Sequence, residues 1–224
     1  MNAAELTGRE RSHVVDLPEF NCALHIHAVA PFLSLRRAAG ADGIDLVPAS
    51  GFRDFERQLR IWNEKYAGER PLLDASERLV GAANLSPDER IDAILQWSAL
   101  PGASRHHWGT DVDLIDRNAL AGGQRLRLTA DQYAPDGPFA PLAAWLDRHA
   151  ARFGFFRPYR GILSGVQAEP WHFSFAPLAE TARRALIPSL LREAILQAPI
   201  EGKERILARL DELYARFVAR VDLP

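Results

Sequence analysis

The chain of 224 residues contains a single cysteine, Cys22, and this feature restricts its fold more than any other. One thiol cannot form an intramolecular disulfide or a cysteine cage around a metal ion. A hydrophobic core must therefore stabilise the fold, and histidines and carboxylates must form any metal site. The sequence has residues for both, because 47% of them are apolar and 7 are histidines. Its length is typical of one or two domains.

Charge and hydropathy exclude two classes of partner. The 27 Lys and Arg residues are outnumbered by 29 Asp and Glu residues, whereas a nucleic-acid-binding protein normally has a basic surplus. No segment of the sequence approaches the ~18–20 consecutive apolar residues of a membrane-spanning helix. The N-terminal residues lack the continuous apolar segment of a secretory signal peptide, so we expect a cytoplasmic protein, or a periplasmic one if a leader has been removed.

The spacing of apolar residues predicts an α+β fold in which a small antiparallel sheet is flanked by helices. Periods of three to four residues predict helices, and alternating or aromatic runs predict strands. We expect helices at 28–39, 53–66, 87–100 and 141–152, and strands at 44–50, 110–115, 153–159 and 171–175. We also expect a polar N-terminal arm at 1–23, a core domain at 24–176, and a helical extension at 177–224 that packs on or beside the core.

An apolar stripe runs along the last predicted helix. It either covers the core domain of the same chain or presents an interface for a homodimer. The members of this stripe are Ile206, Leu210, Leu213, Tyr214, Phe217, Val218 and Val221. On other predicted helices, Trp62, Trp97 and Trp145 lie on the apolar faces, and we expect them in the core.

Three short segments contain most of the side chains that can carry chemistry: 50–53 (SGFR), 104–113 (SRHHWGTDVD) and 169–173 (EPWHF). A catalytic zinc ion typically has three protein ligands and one open position. His106, Asp113 and His172 offer two nitrogens and one oxygen for such a site. Spacing alone also permits the two histidines to be ordinary polar residues packed beside tryptophans.

Two further residues suit the same chemistry. Glu169 lies three residues before His172, where a carboxylate can take a proton from water on the metal. Arg53, at the start of a predicted helix, can stabilise the negative charge that develops on a carbonyl oxygen under attack.

In order and spacing, the three segments resemble the motifs of the zinc D-alanyl-D-alanine carboxypeptidases of the VanY and VanX type, which are LAS-type metallopeptidases. That family reads SGYR or SGFR, then SxHxxGxxxD, then ExWH. The segment 145–158 (WLDRHAARFGFFRP) is also similar to the family's sequence before its last motif. The resemblance extends over about residues 24–176 and implies the small antiparallel-sheet fold of LAS and hedgehog-like proteins.

The resemblance implies that residues 24–176 form a zinc peptidase domain with one zinc ion per chain. The implied substrate is a peptidoglycan stem peptide or another D-Ala-D-Ala-type peptide, hydrolysed as a D-alanyl-D-alanine carboxypeptidase or dipeptidase would. The implied roles are metal ligands for His106, Asp113 and His172, general base toward zinc-bound water for Glu169, oxyanion stabilisation for Arg53, and substrate binding for Ser104, Arg53 and Trp171.

Two other functions remain open at this point. An L-alanyl-D-glutamate-type peptidoglycan endopeptidase would use the same ligand pattern on another bond of the cell wall. A non-catalytic, zinc-stabilised peptide-binding module would hold the ion without turning over a ligand. Glu169 argues against the binding module, because a purely structural metal site needs no base.

The sequence departs from the family pattern at Asp111, His107 and Trp108. Asp111 occupies a place where the family commonly has a small residue. On a strand it points to the same face as Asp113, so it is either a rival ligand or an outer partner of the site. His107 and Trp108 replace a more usual polar pair, and we expect the indole to narrow the mouth of the substrate pocket.

Two features near the N-terminus also have side chains that can bind metal or react. His25 and His27 form an HxH pair, which we expect to cap a helix or face solvent rather than hold a metal. Cys22 has no base placed beside it by the sequence, and we expect it to be a small packed residue rather than a nucleophile.

Overall fold

The computed structural model describes residues 1–120, 123 and 125–224, and its centre is a four-stranded antiparallel sheet of order β3-β6-β8-β7. Two smaller hairpins, β1-β2 and β4-β5, lie outside that sheet. Along the chain the strands are β1 (Val14–Leu17), β2 (Cys22–His25), β3 (Leu46–Ser50), β4 (Leu72–Leu73), β5 (Leu79–Val80), β6 (Asp111–Asp116), β7 (Phe155–Phe156) and β8 (His172–Phe175). The predicted α+β class with a small antiparallel sheet is confirmed.

Helices surround the sheet and form most of the C-terminal third. None of them, within the ranges described above, is long and apolar enough to cross a membrane. They are α1 (Ala3–Leu6), α2 (Ile26–Ala41), α3 (Phe55–Ala67), α4 (Pro87–Leu95), α5 (Ala130–Tyr133), α6 (Ala140–His149), α7 (Ala176–Ala185), α8 (Pro188–Leu196), α9 (Lys203–Ala208) and α10 (Leu210–Leu213), followed by a π-helical turn at Tyr214–Val218.

Alternation along β6 and β8 separates an apolar face of the sheet from a polar one. Side chains on a strand point to opposite faces in turn. Val112, Leu114 and Phe173 therefore belong to a core cluster shared with α2 and α6. Four of the intervening residues of the two strands are polar and equally buried, and the metal-ligand candidates are among them. They are Asp111, Asp113, His172 and Ser174.

Local sequence accounts for the helix that follows β3. Asp54 caps α3 by accepting a hydrogen bond from the amide of Arg57 at 2.7 Å, and Gly68 ends the helix in a left-handed conformation. Phe55, Leu59 and Trp62 form its buried face, as their spacing predicts. The capping box of Ser86 with Glu89 likewise begins α4.

The predicted elements occur in the structure with shifted bounds, and three of them show why. The predicted helix 28–39 extends over Ile26–Ala41 and includes Pro31 and Gly40, because burial of Phe32, Leu35 and Ala39 outweighs the missing proline N–H. The predicted helix 87–100 ends at Leu95, and the predicted strand 153–159 is only the two-residue β7. The bounds of local elements depend on tertiary packing that periodicity does not report.

The N-terminal residues pack on the molecule as a short helix and a hairpin. β1 pairs antiparallel with β2, and Leu6 of α1 is buried. The amide of His25 donates to the carbonyl oxygen of Gly109 at 2.8 Å. Gly109 has a left-handed φ of 64°, and a Cβ there would lie 2.6 Å from Val14 Cγ1. Only glycine therefore fits where this segment passes the β1-β2 hairpin.

The C-terminal helices share a core cluster with α3 and α4. Ile206, Leu210 and Leu213 are fully buried and belong to the same cluster as Trp62 and Ile91. The apolar stripe of 206–221 therefore covers the same chain, and the structure gives no support to a homodimer interface built from it. The Trp62 indole N–H donates to the carbonyl oxygen of Glu201 at 3.0 Å, and this hydrogen bond links α3 to the segment before α9.

We expect Leu210→Ala to lower the free energy of unfolding by roughly 2–5 kcal/mol, because it leaves a cavity between α3, α4 and the C-terminal helices. Urea denaturation followed by tryptophan fluorescence would measure the change. Leu196→Ala, on the neighbouring α8, is the matched control, since Leu196 is 56% exposed. Equal midpoints for the two variants would contradict a shared core.

Candidate metal centre and catalytic cavity

Three side chains from separate motifs converge beside the polar face of the sheet. His106 lies in the helical turn Arg105–Trp108 before β6, Asp113 lies on β6, and His172 begins β8 directly opposite Asp113. One ligand atom from each lies within 4.8 Å of the others. His106 Nε2 is 3.5 Å from Asp113 Oδ2, and His172 Nδ1 is 3.5 Å from Asp113 Oδ1.

Hydrogen bonds on the far side of each imidazole set which nitrogen faces the cluster. His106 Nδ1 lies 2.9 Å from the carbonyl oxygen of Gly51, which can only accept, so Nδ1 carries the proton and Nε2 is free. His172 Nε2 lies 2.8 Å from Asp111 Oδ1, which leaves Nδ1 directed at the cluster. Both rings thus present an unprotonated nitrogen to the same point when a metal is bound.

Asp111 lies behind His172 and is an outer partner rather than a ligand. Its carboxylate also accepts from Arg105 Nε at 2.8 Å, Thr110 Oγ1 at 2.6 Å and Ser174 Oγ at 3.0 Å. Burial alone raises the pKa of Asp111, but the Arg105 guanidinium and the hydrogen bonds from His172 and Thr110 hold it well below its usual value. The carboxylate is therefore ionised and fully hydrogen-bonded.

The residues present fit a divalent metal ion. Asp113 Oδ1 is buried and has no hydrogen-bond partner among the residues that the structure describes, which is costly unless a cation binds it. The donor set of two imidazole nitrogens and one carboxylate, with room for a fourth ligand, is that of a catalytic zinc site.

Negatively charged residues surround His172. Burial by itself lowers the pKa of His172, but Asp111, Glu169 and Asp113 raise it to about 10 in the metal-free protein. Glu169 Oε2 is 3.1 Å from His172 Nδ1, next to the cluster without belonging to it. The chain thus places an additional carboxylate beside the position of the metal.

The remaining predicted site residues line one cavity with the cluster. The cavity has a volume of about 410 Å³, and Arg53, Ser104, Glu169 and Trp171 all lie in its wall. Arg53 Nη1 donates to Gln58 Oε1 at 2.9 Å and Nη2 to Ser50 Oγ at 3.3 Å. The guanidinium therefore keeps its full charge beside neutral partners and faces the metal-ligand candidates.

His107 fixes the backbone of Arg53 and does not enter the cavity. Its Nδ1 donates to the carbonyl oxygen of Arg53 at 2.6 Å, and its Nε2 accepts from the amide of Gly102 at 3.1 Å. Complete burial lowers the pKa of His107 to about 3, so the ring is neutral. Sequence reasoning missed this positioning function, because it depends on a contact 54 residues away in the chain.

The expectation that Trp108 narrows the pocket mouth is wrong. Trp108 is 1% exposed, donates from its indole to the carbonyl oxygen of Leu6 at 3.2 Å, and is absent from the cavity wall. The helical turn that aims His106 at the cluster directs Trp108 into the core. Of the tryptophans expected in the core, Trp62 and Trp145 are buried, whereas Trp97 lines the cavity.

The two N-terminal features have structural positions. His25 caps α2 by accepting a hydrogen bond from the amide of His27 at 3.2 Å. Burial raises the pKa of the Cys22 thiol to about 11, which suits a packed residue and not a nucleophile. Sequence reasoning also did not place Lys65, Tyr159, Phe217 and Val218 in the cavity wall, where the structure has them.

Comparison with known proteins gives consistent matches. Residues 21–178 match the profile of the VanY family, D-alanyl-D-alanine carboxypeptidase. A D-alanyl-D-alanine carboxypeptidase of Enterococcus faecalis is 30% identical over 151 residues, which are 66% of this chain and 46% of that protein.

Two solved structures share the fold. VanYB in complex with D-alanine-D-alanine is 25% identical, with a TM-score of 0.53 and coverage of 84% of this chain and 91% of that one. A glutamate-to-alanine variant of the D,D-pentapeptidase VanY from a VanB-type resistance cassette, in complex with Zn(II), is 26% identical, with a TM-score of 0.53 and coverage of 81% and 88%.

We expect Asp111→Asn to weaken Zn²⁺ binding about 10- to 100-fold, because the amide cannot hold the His172 ring as the ionised carboxylate does. Competition with a chromogenic chelator would measure the affinity. Nitrogen-15 NMR of the metal-free protein would show whether the His172 ring loses its fixed protonation. Asp116→Asn, at the far end of β6, is the matched control, and equal zinc affinities for the two variants would contradict the expected role.

Proposed function

The chain belongs to the VanY D-alanyl-D-alanine carboxypeptidase family, and from this premise we propose that it is a zinc-dependent peptidase that hydrolyses D-alanine-containing cell-wall peptides as a D-alanyl-D-alanine carboxypeptidase or dipeptidase. The family and its solved members make it a metallopeptidase. The metal, the bond cleaved and the role of each residue are our proposal. Zn(II) in one related structure and D-alanine-D-alanine in the other support it.

One observation carries the proposal: a carboxylate that is not a ligand lies against the candidate metal centre. Glu169 Oε2 approaches His172 Nδ1 to 3.1 Å, in a cavity that it shares with Arg53 and Ser104. A site that held zinc only for stability or for binding would need no such group. The arrangement therefore favours hydrolysis over a non-catalytic binding module.

His106 Nε2, Asp113 and His172 Nδ1 would hold the zinc ion. When bound, zinc supplies a Lewis acid that polarises a carbonyl group and allows water to ionise near neutral pH. Glu169 accepts a proton from the attacking water as the water oxygen bonds to the scissile carbonyl carbon. The same carboxyl group then donates that proton to the leaving amine as the carbon–nitrogen bond breaks, so the base is regenerated.

Arg53 stabilises the oxyanion that develops in this step. Its amide donates to the carbonyl oxygen of His106 at 3.1 Å, which ties the arginine to the first ligand segment. Burial lowers the pKa of the Arg53 guanidinium, and Asp113 partly offsets this effect, but an arginine remains charged at neutral pH. A pre-positioned donor of this kind contributes on the order of 10²–10³ in rate.

Ser104 and Trp171 would bind the peptide on either side of the scissile bond. Ser104 immediately precedes the turn that carries His106. The residue is only 2% exposed, and it contributes to the cavity wall. Trp171 packs on Tyr133 with ring centroids 5.8 Å apart, so its cavity edge is rigid. Rigid side chains of this type orient a substrate without a large entropic cost.

We expect the zinc-loaded protein to release D-alanine from a muramyl pentapeptide, or to split D-Ala-D-Ala itself, with products identified by mass spectrometry. Glu169→Ala should retain zinc and lose at least ~10²-fold in rate, because general-base catalysis typically contributes ~10²–10⁴-fold. Glu193→Gln, on the exposed surface of α8, is the control and should act as the unaltered protein does.

Two other outcomes would redirect the proposal. New peptide ends from intact sacculi, with neither small substrate cleaved, would assign the L-alanyl-D-glutamate type of endopeptidase activity. No product from any of the three substrates, with zinc bound at one equivalent, would contradict a peptidase of this specificity and leave the binding module.

A further inference from the structure

The catalytic cavity has a second wall that none of the three motifs contributes. Lys65 and Arg70 enter this wall from α3 and the loop after it, and Ser98 enters from the loop after α4. Phe217 and Val218, from the π-helical turn near the C-terminus, complete it. This wall faces the same space as Glu169 and His172, so its chemistry acts on the same ligand.

Lys65 is a half-buried ammonium group whose hydrogen-bond partner is neutral. Its Nζ donates to Ser98 Oγ at 2.7 Å, and no carboxylate lies within 4.0 Å of it in residues 1–120, 123 and 125–224. Burial lowers the pKa of Lys65 to about 8, although Glu169 across the cavity raises it. A charge partly withdrawn from water gains from an ionic partner, and the position of Lys65 in the cavity wall points to a partner brought by the ligand.

The other charges of the cavity wall leave this ammonium group uncompensated. Three arginines of the wall have carboxylate partners: Arg70 with Glu64, Arg105 with Asp111, and Arg127 with Asp131. The two acidic residues of the wall are Asp113 and Glu169, whose charge a divalent ion would balance. Arg53 and Lys65 then remain, and both favour a ligand with negative charge.

The two unpaired cations suit different anionic groups. The proposed reaction develops one negative charge, on the carbonyl oxygen under attack, and Arg53 lies with the metal ligands where that charge forms. Lys65 suits a negative charge that the substrate carries before it reacts. Its ammonium group is half-buried in the resting protein, so it needs a partner as soon as the substrate binds and not only in the transition state. The negatively charged group that peptides of this class carry at neutral pH is a carboxylate.

We propose that Lys65, supported by Ser98, is an anion subsite that binds a carboxylate of the peptide substrate. This inference rests on the proposed function and adds to it a cationic residue, outside the three motifs, that recognises the substrate. The carboxylate has two sources in a stem peptide, the C-terminus of the departing residue and the side chain of an upstream residue. An interior peptide bond flanked only by neutral amides would leave Lys65 without a partner.

The test measures binding in zinc-loaded Glu169→Ala protein, which keeps the cavity but lacks the proposed base. Isothermal titration calorimetry would compare three tripeptides: N-acetyl-L-lysyl-D-alanyl-D-alanine, its C-terminal amide, and the free acid with meso-diaminopimelate in place of lysine. We expect the free acid to bind roughly 10- to 100-fold more tightly than the amide, as charged hydrogen bonds do. Adding Lys65→Met should remove that preference, and Lys65→Arg should retain most of it.

The peptide series separates the two sources of the carboxylate. If acid and amide bind equally but diaminopimelate strengthens binding only when Lys65 is present, the subsite binds a side-chain carboxylate. Lys203→Met is the control, because Lys203, on α9, is the only other lysine in the sequence and does not line the cavity. Equal affinities of the Lys65→Met and Lys65 proteins for all three peptides would overturn the proposal.

A pH series gives a second readout in the same background. The charged groups that face Lys65 are Arg70 and Arg53, which do not titrate, and Glu169, which that background lacks. The ammonium group loses its proton above about pH 8, so affinity for the acid should fall up to ~tenfold per pH unit there. Lys65→Arg should show no such fall relative to the amide, and parallel profiles for lysine and arginine would overturn the subsite.

Cleavage by the unaltered protein distinguishes this inference from the proposed function. If no peptide is hydrolysed but the Lys65-dependent preference persists, the subsite stands and the peptidase assignment fails. If peptides are hydrolysed and Lys65→Met leaves KM unchanged for acid and amide alike, the peptidase assignment stands and the subsite fails.

Discussion

The antiparallel register of β6 with β8 is the constraint on which the rest of the site depends. It sets Asp113 opposite His172 and Asp111 opposite Ser174, so four polar side chains from distant segments share one face of the sheet. The other face, with Val112 and Phe173, packs into the core and fixes that register. A shift of one residue would exchange the faces and bury apolar side chains where the metal-ligand candidates now lie.

A polar face this deeply buried is stable only if each charge has a partner. Arg105 meets this need by donating to Asp111 and to Ser174 Oγ at 2.6 Å, while its guanidinium lies 4.8 Å from the Trp108 ring centroid. Two of the departures from the family pattern, Asp111 and Trp108, thus form one unit with Arg105: Asp111 orients His172, Arg105 neutralises Asp111, and Trp108 covers Arg105. Among the residues that the structure describes, Asp113 Oδ1 has no hydrogen-bond partner, and this is where the metal ion would bind.

Features encoded locally could be predicted from the sequence, and features set by packing could not. The cap at Asp54 and the spacing of Phe55, Leu59 and Trp62 specify α3 within a few residues of its bounds. The three motifs indicated which residues to bring together, and the structure places them in one cavity. The prediction that Trp108 narrows the pocket mouth is wrong because the helical turn that carries His106 directs the indole into the core. Lys65 was not singled out, because only the packing of α3 against the loop after α4 brings it to the cavity.

In the proposed function, the sheet wall of the cavity carries the groups for hydrolysis and the second wall selects the substrate. The sheet wall holds charges that a bound divalent ion would balance, and strand register fixes its geometry. The opposite wall comes from helices and from the C-terminal turn, where Gly165 N donates to the carbonyl oxygen of Arg216 at 2.9 Å and holds the loop leading to Glu169. Helical walls tolerate substitution without disturbing strand register. Differences in substrate between proteins with these motifs should therefore reside in that second wall, to which this chain contributes Lys65.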